Sequence, residues 1–156
     1  MTNPDYLQLA VEKAREGIAT GQTPFGAVIV RAGAVVAAAH NTVWRDCDPT
    51  AHAEINAIRQ AAKALQSIDL SACEMFSTCE PCPMCLSAIH WSKIERVVYG
   101  ATITDAAAAG FSELRVEARK LAEMGGSRLR VESLPSRNDC RALFDLWQKS
   151  GRGRTY

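Results

Sequence analysis

Two short stretches carry residue types that can do chemistry together, His52-Ala53-Glu54 and Pro81-Cys82-Pro83-Met84-Cys85. One imidazole and two thiolates form a soft-to-borderline donor set, which suits zinc. Three protein ligands leave a fourth position for water, the arrangement of a catalytic centre and not of a closed structural one. Zinc lowers the pKa of such a water to about 7 in favourable sites, so hydroxide becomes available at neutral pH. Glu54 lies two residues from His52. At about 100° of rotation per helical residue it need not share the histidine's face, so it reads as a neighbour of the water and not as a ligand. A carboxylate there can take a proton from the water and hand it to a substrate, a step worth about 10²–10⁴-fold.

Competing chemistries use similar residues. Cys79, Cys82 and Cys85 form the start of an iron–sulfur run, but no cysteine occupies the fourth position and prolines interrupt the run. A redox C-x-x-C pair wants a thioredoxin-like context, which the opening segments do not provide. A structural zinc site wants a fourth ligand, and none is adjacent.

These residues must be held by regular elements. Asp5 to Thr20 places Leu7, Ala10, Val11, Ala14 and Ile18 on one helical stripe, and Gly21 supplies a left-handed stop. Two β-rich runs, 27–30 and 34–39, flank Ala32-Gly33 and predict a hairpin. Residues 41–50 read as a polar loop, followed by a helix with Ile55, Ile58, Ala62 and Leu65 in register. A brief strand over 75–78 runs into the cysteine motif, and a helix carrying Leu86, Ile89 and Trp91 follows, with Pro81 in its first turn. Cys82 and Cys85 then sit where free backbone N–H groups favour thiolates, and His52 opens the preceding helix in the same way. Further on come a strand over 95–100, a turn or helix start at Ala106–Gly110, a helix around Leu114–Met124, a strand over 129–134 and a helix over Arg137–Gln148. Alternating strands and helices after a hairpin favour a mixed sheet layered with helices.

The chain has 156 residues, 47% of them apolar, the size of one domain with a continuous core. Lys and Arg total 18 against 17 Asp and Glu, which excludes a broad polycationic surface as the means of holding nucleic acid. Residues 1–112 carry net −3 and residues 113–156 net +4. No apolar run reaches 18 residues and the N-terminal residues lack a secretory pattern, so a soluble, cytoplasmic protein is expected. Cys47, Cys73 and Cys140 are scattered and read as inert small hydrophobes.

The motifs Pro24-Phe25-Gly26-Ala27-Val28-Ile29-Val30, Asp48-Pro49-Thr50-Ala51-His52-Ala53-Glu54 and Thr78-Cys79-Glu80-Pro81-Cys82-Pro83-Met84-Cys85 resemble the cytidine deaminase-like, zinc-dependent enzymes. The resemblance covers nearly the whole chain. It implies a single domain over 1–156, a three-layer α/β/α sandwich around a five-stranded mixed sheet, with residues 150–156 as a tail. Within the family the likeness is to bacterial guanine deaminases, carried by Thr104-Asp105-Ala106-Ala107-Ala108-Ala109-Gly110-Phe111 and by Leu146-Trp147 before a short basic tail ending in Tyr156.

That likeness implies one Zn²⁺ held by His52, Cys82 and Cys85, with Glu54 as the proton shuttle. Asn41 matches an asparagine that hydrogen-bonds the base. Glu113 matches a second acid near the substrate's amino group, although the family's Phe-Asp-Asp reads Phe111-Ser112-Glu113 here. Tyr156 matches a tyrosine that closes over the site, in some relatives from the partner subunit. Phe25 and Trp91 are candidates for an apolar wall around a planar base. Plainer roles are open to each: turn residue for Asn41, core for Phe25 and Trp91, a frayed end for Tyr156. His40 and His90 read as structural, and Arg128, Arg130, Arg152 and Arg154 as a solvated face. The implied reaction is hydrolytic deamination of guanine to xanthine and ammonia, by a homodimer. The alternatives are another aminated base or nucleoside (guanosine, cytosine, isocytosine, an aminotriazine), a tRNA adenosine deaminase, or a non-catalytic zinc or iron–sulfur module.

Overall fold

Helix α1 (Asn3–Ala19) buries Leu7, Ala10, Val11, Ala14 and Ile18, the stripe its spacing predicts, and Gly21 follows it at φ 80°. The computed structural model describes residues 1–134, 138–151 and 153–156. The expected helix start at Arg137 and the place of Arg152 on a solvated face lie outside the described residues.

Strands β1 (Gly26–Arg31) and β2 (Ala34–His40) form the expected hairpin. Its two connecting residues, Ala32 and Gly33, have φ of 49° and 79°, the positive values a two-residue hairpin turn needs to match strand twist. Strands β3 (Cys73–Cys79), β4 (Arg96–Ala101) and β5 (Arg130–Ser133) complete a five-stranded sheet of order β2-β1-β3-β4-β5. β1 is antiparallel to both neighbours, whereas β3, β4 and β5 run parallel. The sheet is mixed because the opening hairpin reverses the chain, while the later strands are joined through helices.

Both faces of the central strands are covered. Val28, Val30, Phe76 and Val98 point to one core, with α1 and helix α7 (Asn138–Lys149) above them. Ala27, Ile29, Met75 and Val97 point to the other, against helices α3 (Ala53–Leu65), α4 (Pro83–Trp91) and α6 (Ala118–Met124). A strand buried on both faces reads as an unbroken apolar run, as 27–30 does. The architecture is the three-layer α/β/α sandwich with a five-stranded mixed sheet. Among the described residues no helix is long and apolar enough to cross a membrane.

Several local expectations change. The polar loop over 41–50 contains a short helix, α2 (Val43–Asp46), and Asn41, Thr42 and Val43 are buried. In α3 the buried stripe is Ala53, Ala57 and Ala61, with Ile58 and Leu65 only packed at its margin. Small residues let this helix lie close to the sheet, so the bulky ones are turned to the periphery. Pro81 precedes α4 and does not belong to its first turn; Cys82 is the N-cap and Pro83 the first helical residue. Ala106–Gly110 is the end of helix α5 (Ile103–Ala108), closed by Gly110 at φ 100°. The helix expected from Leu114 starts only at Ala118, because 111–117 is drawn over the site described below. Cys73 and Cys140 are buried as expected, but Cys47 is exposed and left-handed at the end of α2.

Gly26 sets the distance between α1 and β1. A Cβ at this position would collide with the Ala10 carbonyl oxygen and lie 2.8 Å from Ala14 N, both backbone atoms that cannot rotate away. Gly26→Ala should therefore destabilise the fold by about 1–3 kcal/mol, the usual cost of overpacking. Urea denaturation should show a lower midpoint at unchanged slope, and an unaltered midpoint would mean that the helix and strand are free to separate.

Candidate active site

The strands end where the chemistry-bearing residues begin. β3 stops at Cys79 and delivers Cys82 to the N-cap of α4, while His52 is the N-cap of α3. Both caps are extended (φ −66° and −64°) and neither side chain folds back to cap its own helix. Each is thus free to face the other, with two sets of helix N-terminal N–H groups directed at the same space. Cys85 lies in the first turn of α4 and is fully buried.

The three donor atoms lie within 4.8 Å of one another. His52 Nδ1 is 3.8 Å from Cys82 Sγ and 3.5 Å from Cys85 Sγ. A tetrahedral ion with bonds of about 2.0 Å to nitrogen and 2.3 Å to sulfur places N and S about 3.5 Å apart, so the donor set fits zinc. Cys82 is drawn down to about 4, chiefly by a hydrogen bond from Cys85, with His52 assisting. Cys85 is pushed well up, by that same bond and by burial. Burial pulls His52 down, but Cys82 and Glu54 outweigh it and the net shift is upward. Cys82 is thus the more acidic of the two thiols, and a dication binding here would displace thiol protons.

Glu54 is buried beside this set, with Ser77 Oγ donating to its Oε1 at 3.3 Å. Burial, then the Cys82 thiolate, raises its pKa. Glu113 comes from the 111–117 segment and is pushed up to about 7, again by burial first and by Cys82 second. Two carboxyls thus hold protons more tightly than usual within one site. Phe25, His52, Glu54, Cys82 and Glu113 share a small inner cavity. An outer cavity of about 220 Å³ is lined by Pro49, His52, Cys82, Phe111, Glu113 and Tyr156, among others.

Asn41 is fully buried; its Oδ1 accepts from Val43 N and its Nδ2 donates to the Tyr156 hydroxyl at 2.7 Å. Tyr156 is therefore not frayed: its ring lies 5.7 Å from His52 and 6.1 Å from Phe111. Phe25 meets Phe111 edge-on at 4.9 Å and joins both cores at the site's inner end. Trp91 is the residue the structure does not bring in. It is 81% exposed at the far end of α4 and lines a separate groove with Leu86, His90 and Leu121. It lies six helical positions beyond Cys85, a displacement of about 9 Å along the axis. His40 Nδ1 contacts the Asn41 carbonyl oxygen and His90 Nδ1 the Ser127 hydroxyl, both away from the donor set.

Residues not anticipated as site elements also converge. Phe111 supplies an aromatic wall; its place beside Glu113 was the available signal. Trp44 holds the tail, its Nε1 donating to the Arg154 carbonyl at 3.0 Å while the Arg154 guanidinium stacks 4.2 Å above its ring. Arg128, Arg130 and Arg154 are all exposed as expected, and Arg154 in addition covers an aromatic face. No spacing rule links residue 44 to residue 154, so nothing local announces that contact.

Residues 1–101 match the family model described as the cytidine and deoxycytidylate deaminase zinc-binding region. The chain is 49% identical over 114 residues to the guanine deaminase of Bacillus subtilis (strain 168), covering 72% of this chain and 73% of that protein. It is also 42% identical over 96 residues to the tRNA-specific adenosine deaminase of Aquifex aeolicus (strain VF5), covering 62% and 64%. The solved guanine deaminase from Nitrosomonas europaea superposes with a TM-score of 0.84 at 29% identity, covering 92% of this chain and 83% of that one. Fold and site define an enzyme of the deaminase class. The chain belongs to the cytidine and deoxycytidylate deaminase family.

Because each donor is one of only three, Cys82→Ser or His52→Ala should weaken zinc binding by more than about 100-fold, beyond the loss typical of outer-sphere changes. Competition against a chromophoric chelator measures this directly. Retention of wild-type affinity in either variant would remove that residue from the ligand set.

Proposed function

We propose that the protein is a zinc-dependent guanine deaminase, converting guanine and water to xanthine and ammonia. The observation that carries this reading is the pair of carboxyls, Glu54 buried and Glu113 half-buried, bordering one small cavity beside the His52, Cys82 and Cys85 donors. The likeness to the Bacillus guanine deaminase supports the choice of ring. A cavity of about 220 Å³ lies below the roughly 300–1,000 Å³ of drug-sized ligand sites, the scale of a lone heterocycle.

When bound by His52, Cys82 and Cys85, one zinc per chain would supply a water acidic enough to attack at neutral pH. The chain's own groups do the rest. Phe111, Phe25 and Tyr156 flank the planar ring and exclude bulk water. Glu54 accepts a proton as the water adds to the ring carbon bearing the amino group, and returns it to the adjacent ring nitrogen. Its raised affinity for protons suits a group that must take and give within one turnover. Glu54 then takes the proton of the added hydroxyl and delivers it to the exocyclic amine, which Glu113 holds, so that the carbonyl of xanthine forms as the C–N bond breaks and ammonia leaves. Asn41, whose amide donates to the Tyr156 hydroxyl, orients the base together with that tyrosine.

A second reading, a tRNA adenosine deaminase, is favoured by the 42% identity to the Aquifex enzyme. The near-neutral charge of the chain and the small cavity favour the free base. The proposal further takes the enzyme to be a homodimer, as the family resemblance implies, and to be cytoplasmic.

Ammonia release from zinc-loaded protein should favour guanine over guanosine, cytosine, isocytosine, an aminotriazine and a tRNA anticodon stem-loop. Rapid turnover of another substrate with guanine poor would move the specificity, and salt-sensitive stem-loop binding would revive the tRNA reading. Glu54→Gln should retain zinc while turnover falls by about 10²–10⁴-fold; normal turnover in that metal-replete variant would sink the shuttle assignment. Ending the chain at Gly151 should raise KM for guanine more than it lowers metal content. Unchanged kinetics would remove Tyr156 from the site.

A further inference from the structure

Glu80 is a charged side chain inside the cysteine motif, and the mechanism above does not use it. It is only 7% exposed. Its Oε2 accepts from Ile103 N at 3.1 Å and its Oε1 from Ala118 N at 2.8 Å. Its backbone N–H donates to the Ala101 carbonyl at 2.8 Å, where β4 ends. Ile103 opens α5 and Ala118 opens α6, so one carboxylate grips both sides of the segment between them. That segment carries Phe111 and Glu113 into the cavity, and over 111–117 it has no helix or strand of its own. Its backbone bonds there are short-range: Phe111 N to Ala106 O, Glu113 N to Phe111 O, and Val116 N to Leu114 O.

We infer that Glu80 is a positioning residue that ties the metal-binding loop to both ends of the 103–118 segment and so fixes where Glu113 stands relative to Cys82. The covalent distance from Glu80 to Cys82 is two residues, so any movement of the segment is registered against a ligand. A buried carboxylate is costly unless its oxygens are satisfied, and both oxygens of Glu80 are spent on backbone N–H groups. Charge-assisted bonds of this kind are stronger than neutral ones, which suits a tether across a stretch lacking regular structure. Glu80 touches the inner cavity but acts through Glu113, and this assignment rests on the reading that Glu113 meets the substrate's amine.

Glu80→Gln preserves shape while replacing one acceptor oxygen by an amide donor, so one of the two N–H groups loses its partner. Zinc content should stay at the wild-type level, and kcat/KM should fall by about 10–100-fold, as for outer-sphere partners in metal sites. In a Glu113→Gln background the same change should cost no more than about twofold, because groups acting as a unit are non-additive. Amide exchange at Ile103 or Ala118 should accelerate by about 5–30-fold. This arm needs no substrate and stands even if guanine is not the ring; the cycle is then run with whichever ring is turned over. Equal losses in both backgrounds, or unaltered exchange at both amides, overturn the inference. If Glu80→Gln does not fold, Ala118→Pro removes one donor at a first helical position, which tolerates proline. It should reproduce the fall in kcat/KM with zinc retained, and wild-type kinetics there would count equally against the tether.

Discussion

Four acidic groups crowd into one end of this sheet: the Cys82 thiolate and the carboxyls of Glu54, Glu80 and Glu113. Burying like charges together is among the costliest arrangements in a protein unless each is neutralised or satisfied. The fold meets this demand in three separate ways. Glu80 spends both oxygens on backbone N–H groups. Glu54 and Glu113 hold their protons more tightly than usual. The thiols are placed where helix N-termini and a dication can balance them. The second of these bears on the proposed chemistry, because a carboxyl pushed up to about 7, as Glu113 is, can both hold and release a proton near neutrality.

The sheet makes this crowding geometrically possible. Alternate residues of β1, β3 and β4 fill two cores, leaving the strand ends as the place where chain direction changes and polar groups gather. Close approach is set by the smallest residues. Gly26 admits the α1 backbone, Gly100 admits the Cys140 side chain, and the Ala53, Ala57 and Ala61 stripe lays α3 against the sheet. Bulk at these points would displace His52 relative to Cys82, and a metal site tolerates little displacement.

The hairpin, the order of elements and the donor set were legible because each depends on local spacing. Periodicity found α1, turn chemistry found Ala32-Gly33, and ligand spacing found His52, Cys82 and Cys85. Periodicity misjudged α3, since hydrophobic size pointed to Ile58 and Leu65 whereas proximity to the sheet selected alanines. It could not place Trp91, because an aromatic near a motif gives no clue to which way its helix leads. The 111–117 segment misled for a related reason: its residues can be helical, but tertiary contacts to the site outweigh propensity. Contacts such as Trp44 with Arg154 join residues 110 apart in sequence and follow no rule of spacing at all.

What results is a division between a rigid floor and adjustable walls. His52, Cys82, Cys85 and Glu54 sit at the starts of two helices packed on the sheet, where local opening requires breaking the core. Phe111, Glu113 and Tyr156 come from a segment without regular structure and from a tail held by one tryptophan and one asparagine. Such segments open at lower free energy than the core, and that is where substrate must enter and product must leave. It is also where substitutions can be absorbed: between Phe111, which is packed into the core, and Ala118 at the start of α6, the chain has no regular structure and can take up the methylene that distinguishes Glu113 from an aspartate. Glu54, by contrast, sits in the first turn of a helix packed on the sheet, a rigid mount of the kind that the proposed proton transfer would need.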